Sequence, residues 1–162
     1  MKALTVQQPW AWAIMHGGKN IENRTQLWKY RGPLAIHAGK RWSERGGNDD
    51  RVLSAFIADQ VRTGLEPKYA DMLRSGLLEE DLGDWYGAIL GTIELVDVHP
   101  AAGCCRPWGE SAYFEHGGRE RRRIAHLVLE NARPLAEPIP CKGALGLWTP
   151  PIGLITKLES AK

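Results

Sequence analysis

Apolar positions change period along this chain, and the changes divide it into elements. Residues 3–6, Ala-Leu-Thr-Val, open it with a short strand. Pro9 fits the first position of a helix, where its missing N–H costs nothing. Trp10, Ala13 and Ile14 fall on one face of that helix, and Gly17-Gly18 end it, because glycine tolerates positive φ. Residues 21–25 read as a second strand. Arg31-Gly32-Pro33 is a turn, and a clear strand follows at 34–38. The period then lengthens. Asn48 or Asp49 caps a helix whose apolar side is Val52, Phe56, Ile57 and Val61. A weaker helix is expected near 67–74, followed by an acidic connection at 76–84. Residues 86–98 are the longest β run, with Gly87 and Gly91 marking a bend or bulge. A long loop-like stretch separates it from a strand at 123–129, extended loosely to 135. A final strand at 144–148 ends at Pro150-Pro151.

Five or six strands with helices inserted between them, not strictly alternating with them, argue for an α+β fold. The architecture expected is a small, mixed or antiparallel, partly closed β-barrel with peripheral helices. One domain accounts for all 162 residues, with a variable helical insertion at about 45–80. Seven Trp within a 43% apolar composition supply a real core, which excludes a disordered chain. No run of about eighteen apolar residues exists, so no membrane partner is expected. Gln7 and Gln8 interrupt the N-terminus before any apolar stretch could serve as a signal peptide. Three cysteines, two of them adjacent at Cys104-Cys105, make no disulfide framework, so a cytoplasmic protein with reduced thiols is expected. The net charge of +2 is too small to imply nucleic acid by itself.

The segment LTVQQPWAWAIMHGGKNIENR, followed by RGPLAIHAGK, resembles the ASCH domain family, and the late segment PIPCKGALGLW resembles that family's closing strand. The resemblance covers roughly residues 3–40 and 86–149. It implies a PUA-like β-barrel. Families of this fold are associated with RNA binding, with coactivator-type regulators, with hydrolysis of acetylated cytidine in small bacterial members, and with ribonuclease activity in some.

The residues themselves describe a nucleotide cleft. Glu22 and Arg24 share one face of their strand. Lys19 follows the Gly-Gly turn. If the family's barrel applies, these converge with Gln8, Trp10, His37 and Lys40 beside the first helix. Lysine and arginine offer point and forked charge to a phosphate, Trp10 a stacking plane, and Glu22 an acceptor for a base's exocyclic amine. Lys142 and Trp148 join if the closing strand lines the same cleft. Arg121, Arg122 and Arg123 form a second basic run able to track a phosphate backbone. The competing readings are a surface salt-bridge ladder for Lys19, Glu22 and Arg24, a structural role for His37 and a solvated edge for the arginine run.

RNA or a nucleotide within it is therefore the expected partner. Lys19 and Glu22 would be catalytic only in an enzyme. The resemblance implies a lysine, a threonine and a glutamate for acetylcytidine hydrolysis. Lys19 matches the lysine, but Glu22 stands at the threonine's place, and Glu110 and Glu115 are only order-based candidates for the glutamate. A ribonuclease and a protein-interaction module remain alternatives. No P-loop, Rossmann or G-x-S-x-G fingerprint occurs, and no cofactor is expected. His99, Cys104, Cys105 and His116 lie close in sequence, with Cys141 downstream. Adjacent cysteines are awkward ligands for one tetrahedral ion, so free thiols are expected and metal is not.

Overall fold

Strand β1 (Lys2–Gln8) lies one strand in from an edge of the main sheet. It pairs in parallel with β3 (Gly32–Trp42) and antiparallel with the two-residue β8 (Leu147–Trp148). In this computed structural model the described residues are 1–64, 82, 85–111, 113–116 and 120–160, with the backbone alone at 113–116 and 120–122. The remaining strands are β2 (Ile21–Arg24), β4 (Ala88–Pro100), β5 (Tyr113–His116), β6 (Glu120–Arg123) and β7 (Ala125–Pro140). Six of the eight form one curled half-barrel sheet in the order β2-β7-β4-β3-β1-β8, and β5-β6 is a separate hairpin. Four helices accompany it among the described residues, which makes the fold α+β as expected.

Helix α1 (Trp10–Met15) is only six residues long, too short to stand without packing. Its support is burial on nearly all sides. Ala11, Ile14 and Met15 enter the sheet's core with Leu4, Leu34, Ile36, Leu90 and Leu127. Trp12 and Ala13 face the other way, against Val52 and Phe56 of α3 (Asp50–Arg62). Trp12 meets Phe56 edge-on with centroids 5.3 Å apart. Gln8 is fully buried, and its Oε1 accepts from the Trp12 N–H, 3.0 Å away. It thus secures the helix start. Lys19 N–H and Gly17 N–H both return to the Ala13 oxygen, and Gly18 takes φ +69° to close that turn.

Asp49 caps α3 by accepting from the Arg51 N–H. The short α2 (Glu44–Gly47) precedes it, capped by Ser43. The helix expected near 67–74 lies outside the described residues. In β4 the register against β7 slips between Ile89 and Gly91. A Cβ at Gly91 would sit 2.5 Å from the Arg133 oxygen and from Met15 Sδ, so glycine lets three elements meet.

Two elements differ from the sequence reading. The longest strand is β7, at 16 residues, and it continues through Pro134 and Pro138 to Pro140. Prolines that donate no hydrogen bond sit where its pairing is already irregular. The last strand stops before Pro150-Pro151, and a helix absent from the sequence reading follows it, α4 (Ile152–Ser160), where the Pro151 oxygen accepts from Leu154 and Ile155. Leu158 of α4 is buried against Ala3, Ala35 and Ile89, closing the far side of the sheet. No helix among the described residues is long and apolar enough to cross a membrane.

Candidate functional site

Lys19 and Glu22 are both buried, at 3% and 8% exposure, which rules out a solvated surface ladder. The turn after α1 aims Lys19 at the start of β2. Its Nζ lies 2.9 Å from Glu22 Oε2 and also donates to the Ile21 oxygen. Arg24 Nε lies 3.0 Å from Glu22 Oε1, as an ion pair more than an aligned hydrogen bond. Burial pushes the Glu22 carboxyl up, but Lys19 and then Arg24 outweigh it and hold the carboxyl below its ordinary value. Breaking a buried ionic group of this kind is costly because it strands a charge, and perturbed buried groups of this kind cluster at functional sites.

The pair floors a cavity of about 50 Å³, lined by Trp10, Lys19, Glu22, Asn23, Arg45, Arg51, Trp108 and Glu110. Ligand sites usually enclose about 300–1,000 Å³, so this one is nearly filled by its own side chains. Arg45 is the main occupant. Its guanidinium lies 5.6 Å from the Trp10 ring centroid, and its Nη2 lies 2.7 Å from Glu110 Oε1. The Arg45 side chain is 67% exposed and free to swing out. Arg51 covers the other indole, its Cζ 4.4 Å from the centroid of Trp108. The 104–110 loop is sewn to β2 by Asn23, which donates to the Trp108 oxygen (2.9 Å) and accepts from the Glu110 N–H (3.0 Å).

His37, Lys40 and Lys142 do not line this cavity. They line an open groove of about 840 Å³ together with Thr5, Tyr86, Cys141 and Gly143. Trp148 stands beside it, edge-on to His37 at 5.9 Å, with its Nε1 donating to Thr5 Oγ1. His37 Nε2 donates to the Cys141 oxygen (3.1 Å), leaving Nδ1 as a bare buried acceptor without a partner among the described residues. Burial pushes the His37 imidazole down, so it is neutral near pH 7. The single cleft expected from sequence is thus two neighbouring ones. Arg24 stands between them, joining Glu22 to the Thr5 backbone oxygen.

The arginine run falls on β6 and its end. Arg123 is exposed but donates to the Ala101 oxygen through Nε and Nη2. The side chains of Arg121, Arg122 and Glu115 lie outside the described residues. Sequence reasoning missed Asn23 and Arg51 and gave Trp108 no place in this cavity. The Trp-Gly-Glu inside a turn-rich loop was the available signal, but nothing local told which strand that loop would fold upon.

A family model described as "ASCH domain" matches residues 4–138. Among solved structures, a mutant form of the ZmASCH protein from Zymomonas mobilis is similar at TM-score 0.54 and 12% identity, covering 98% of this chain and 96% of that one. At that identity the likeness concerns the fold, which is the PUA-like α+β half-barrel. No functionally curated protein matches the chain.

Proposed function

The chain belongs to the ASCH domain family, and on that premise we propose that it binds single-stranded RNA by taking one amino-bearing base onto Trp10. The observation that carries this reading is the position of Arg45. A flat cationic group rests over the Trp10 face while donating to a carboxylate of Glu110. A base with an exocyclic amine needs the same two contacts, an aromatic plane and an in-plane acceptor. Displacing Arg45 frees both at once. The displaced guanidinium remains available to the strand's phosphate. Lys40 and Lys142 in the neighbouring groove supply further charge for the flanking nucleotides.

A hydrolase acting on a modified nucleoside is the second reading, favoured by the presence of Glu110 on the cavity that Lys19 floors. Glu22 weakens it. Both its oxygens are engaged and its carboxyl is held low, which makes a poor base.

The test is a titration of labelled oligo-C, oligo-A and oligo-U against the full chain at several salt concentrations, with acetylcytidine turnover measured in parallel. Cytosine and adenine carry the amine and uracil does not, so oligo-U is expected to bind more weakly. Trp10→Leu should weaken the favoured oligomer by about 1–3 kcal/mol. Glu110→Gln should erase the preference over oligo-U. Lys40→Ala with Lys142→Ala should lower the salt slope by about 0.7 per lost phosphate contact. Equal binding of all three oligomers by the wild type would sink the base-reading proposal, and acetyl release lost in Lys19→Ala would replace it with the hydrolase.

A further inference from the structure

Behind the wall formed by Trp108 and Glu110, four side chains converge that the nucleotide reading does not use. They are His99, Cys104, Cys105 and His126, and their ligand atoms all lie within 4.8 Å of one another. Cys104 Sγ is 3.4 Å from His99 Nε2 and 3.5 Å from His126 Nδ1, and Cys105 Sγ is 3.4 Å from His99 Nε2. A tetrahedral zinc with Zn–S of about 2.3 Å and Zn–N of about 2.0–2.1 Å sets its sulfur and nitrogen ligands about 3.6 Å apart. The observed spacing is already that of a ligand shell.

Both imidazoles are oriented for the task from behind. His99 Nδ1 lies 2.7 Å from Asp97 Oδ2, and His126 Nε2 lies 2.7 Å from the Glu110 backbone oxygen. Each ring therefore keeps its proton on the outer nitrogen and turns a lone pair toward the sulfurs. The difficulty with adjacent cysteines is removed by the backbone. In extended chain, neighbouring side chains point to opposite faces. Cys105 adopts φ +64°, after Gly103 at φ +73°, and this left-handed turn brings both thiols to one side. Gly109 lets the loop close over them, since a Cβ there would sit 2.8 Å from both Cys105 Cβ and His126 Cε1.

We propose that His99, Cys104, Cys105 and His126 bind one structural zinc ion, which fixes the 104–110 loop carrying Trp108 and Glu110. His126, which the sequence did not group with this set, is brought in by the pairing of β7 with β4 opposite His99; the side chain of His116 lies outside the described residues. Cys141 is elsewhere, on the open groove. Four protein ligands leave no open position, which suits a structural and not a catalytic ion.

The experiment is metal analysis of the untagged full chain, purified under reducing conditions from zinc-supplemented cells, with Co²⁺ titrated into metal-stripped protein. The expected result is about one zinc per chain, and a cobalt spectrum with thiolate-to-metal charge-transfer bands. Cys104→Ser and Cys105→Ser should each lose those bands, with folding checked by circular dichroism. Cys141→Ser should keep them. Asp97→Asn should weaken zinc by about tenfold or more while every ligand remains. Trace zinc in the wild type together with no cobalt bands would overturn the proposal. So would fast alkylation of Cys104 in protein that takes up no metal, which would assign the cluster to a reactive thiolate paired with His99.

Discussion

The Arg24 guanidinium donates through Nη2 to the backbone oxygen of Thr5, 2.8 Å away, and so ties β2, one edge of the sheet, across to β1 near the other. No strand pairing joins these two elements; the sheet is curled until a side chain can span what backbone does not. Because the same guanidinium pairs with Glu22, closure of the half-barrel and the charge state of the site depend on one residue.

Arg24→Ala removes both contacts and leaves Glu22 with Lys19 as its one ion-pair partner among the described residues. The expected loss is about 1–3 kcal/mol, read from urea denaturation. Arg24→Lys should recover only part, since a single ammonium cannot serve the carboxylate and the Thr5 oxygen together. Wild-type stability in Arg24→Ala would show that the bridge does not hold the edges.

Glu22 gives the acid limb of stability a definite sign. Its folded carboxyl titrates below the ordinary value of 4.5. The unfolded state therefore binds the proton first, and the stabilisation is complete above that value and lost as pH falls through the folded one. Glu22→Gln should be most destabilising near neutral pH, and its difference from wild type should shrink as pH drops below 4.5. Urea midpoints for both proteins from neutral pH downward decide this; a difference that grows on acidification would contradict the ion-pair account.

Gly143 sets the geometry of His37. A Cβ at this position would lie 2.4 Å from His37 Cε1, 2.5 Å from its Nδ1 and 2.8 Å from Thr5 Oγ1. Gly143→Ala must therefore push the 141–144 segment off the histidine and break the bond from His37 to Cys141. A cost of about 1–3 kcal/mol is expected, as for other overpacked sites. Solvent reaching the ring should also move its titration, followed by NMR, up toward 6.5 from its depressed position. A variant with unchanged stability and an unchanged His37 titration would refute the contact.

Local pattern determined much of this protein. The strand before Gln8, the Gly-Gly stop, the Asp49 cap and the bulge near Gly91 follow from preferences acting over a few residues. The α+β class and the resemblance to the ASCH family rest on that same local information. The burial of Lys19 beside Glu22 was half legible, because the turn and the strand alternation already put them close.

Tertiary structure decided the rest. Whether His37 and Lys40 share a cavity with Lys19 depends on how far the sheet curls, a sum over six strands that no segment encodes alone. Trp108 and Glu110 are held at the site by Asn23, which binds a loop distant in sequence, while Arg45 and Arg51 arrive from α2 and α3 on the other side. At Cys104-Cys105 the alternation of an extended chain, which would turn neighbouring side chains to opposite faces, does not hold. One left-handed φ reverses it, and the cost of that φ is met by contacts that exist only once β4, β7 and the loop between them have come together.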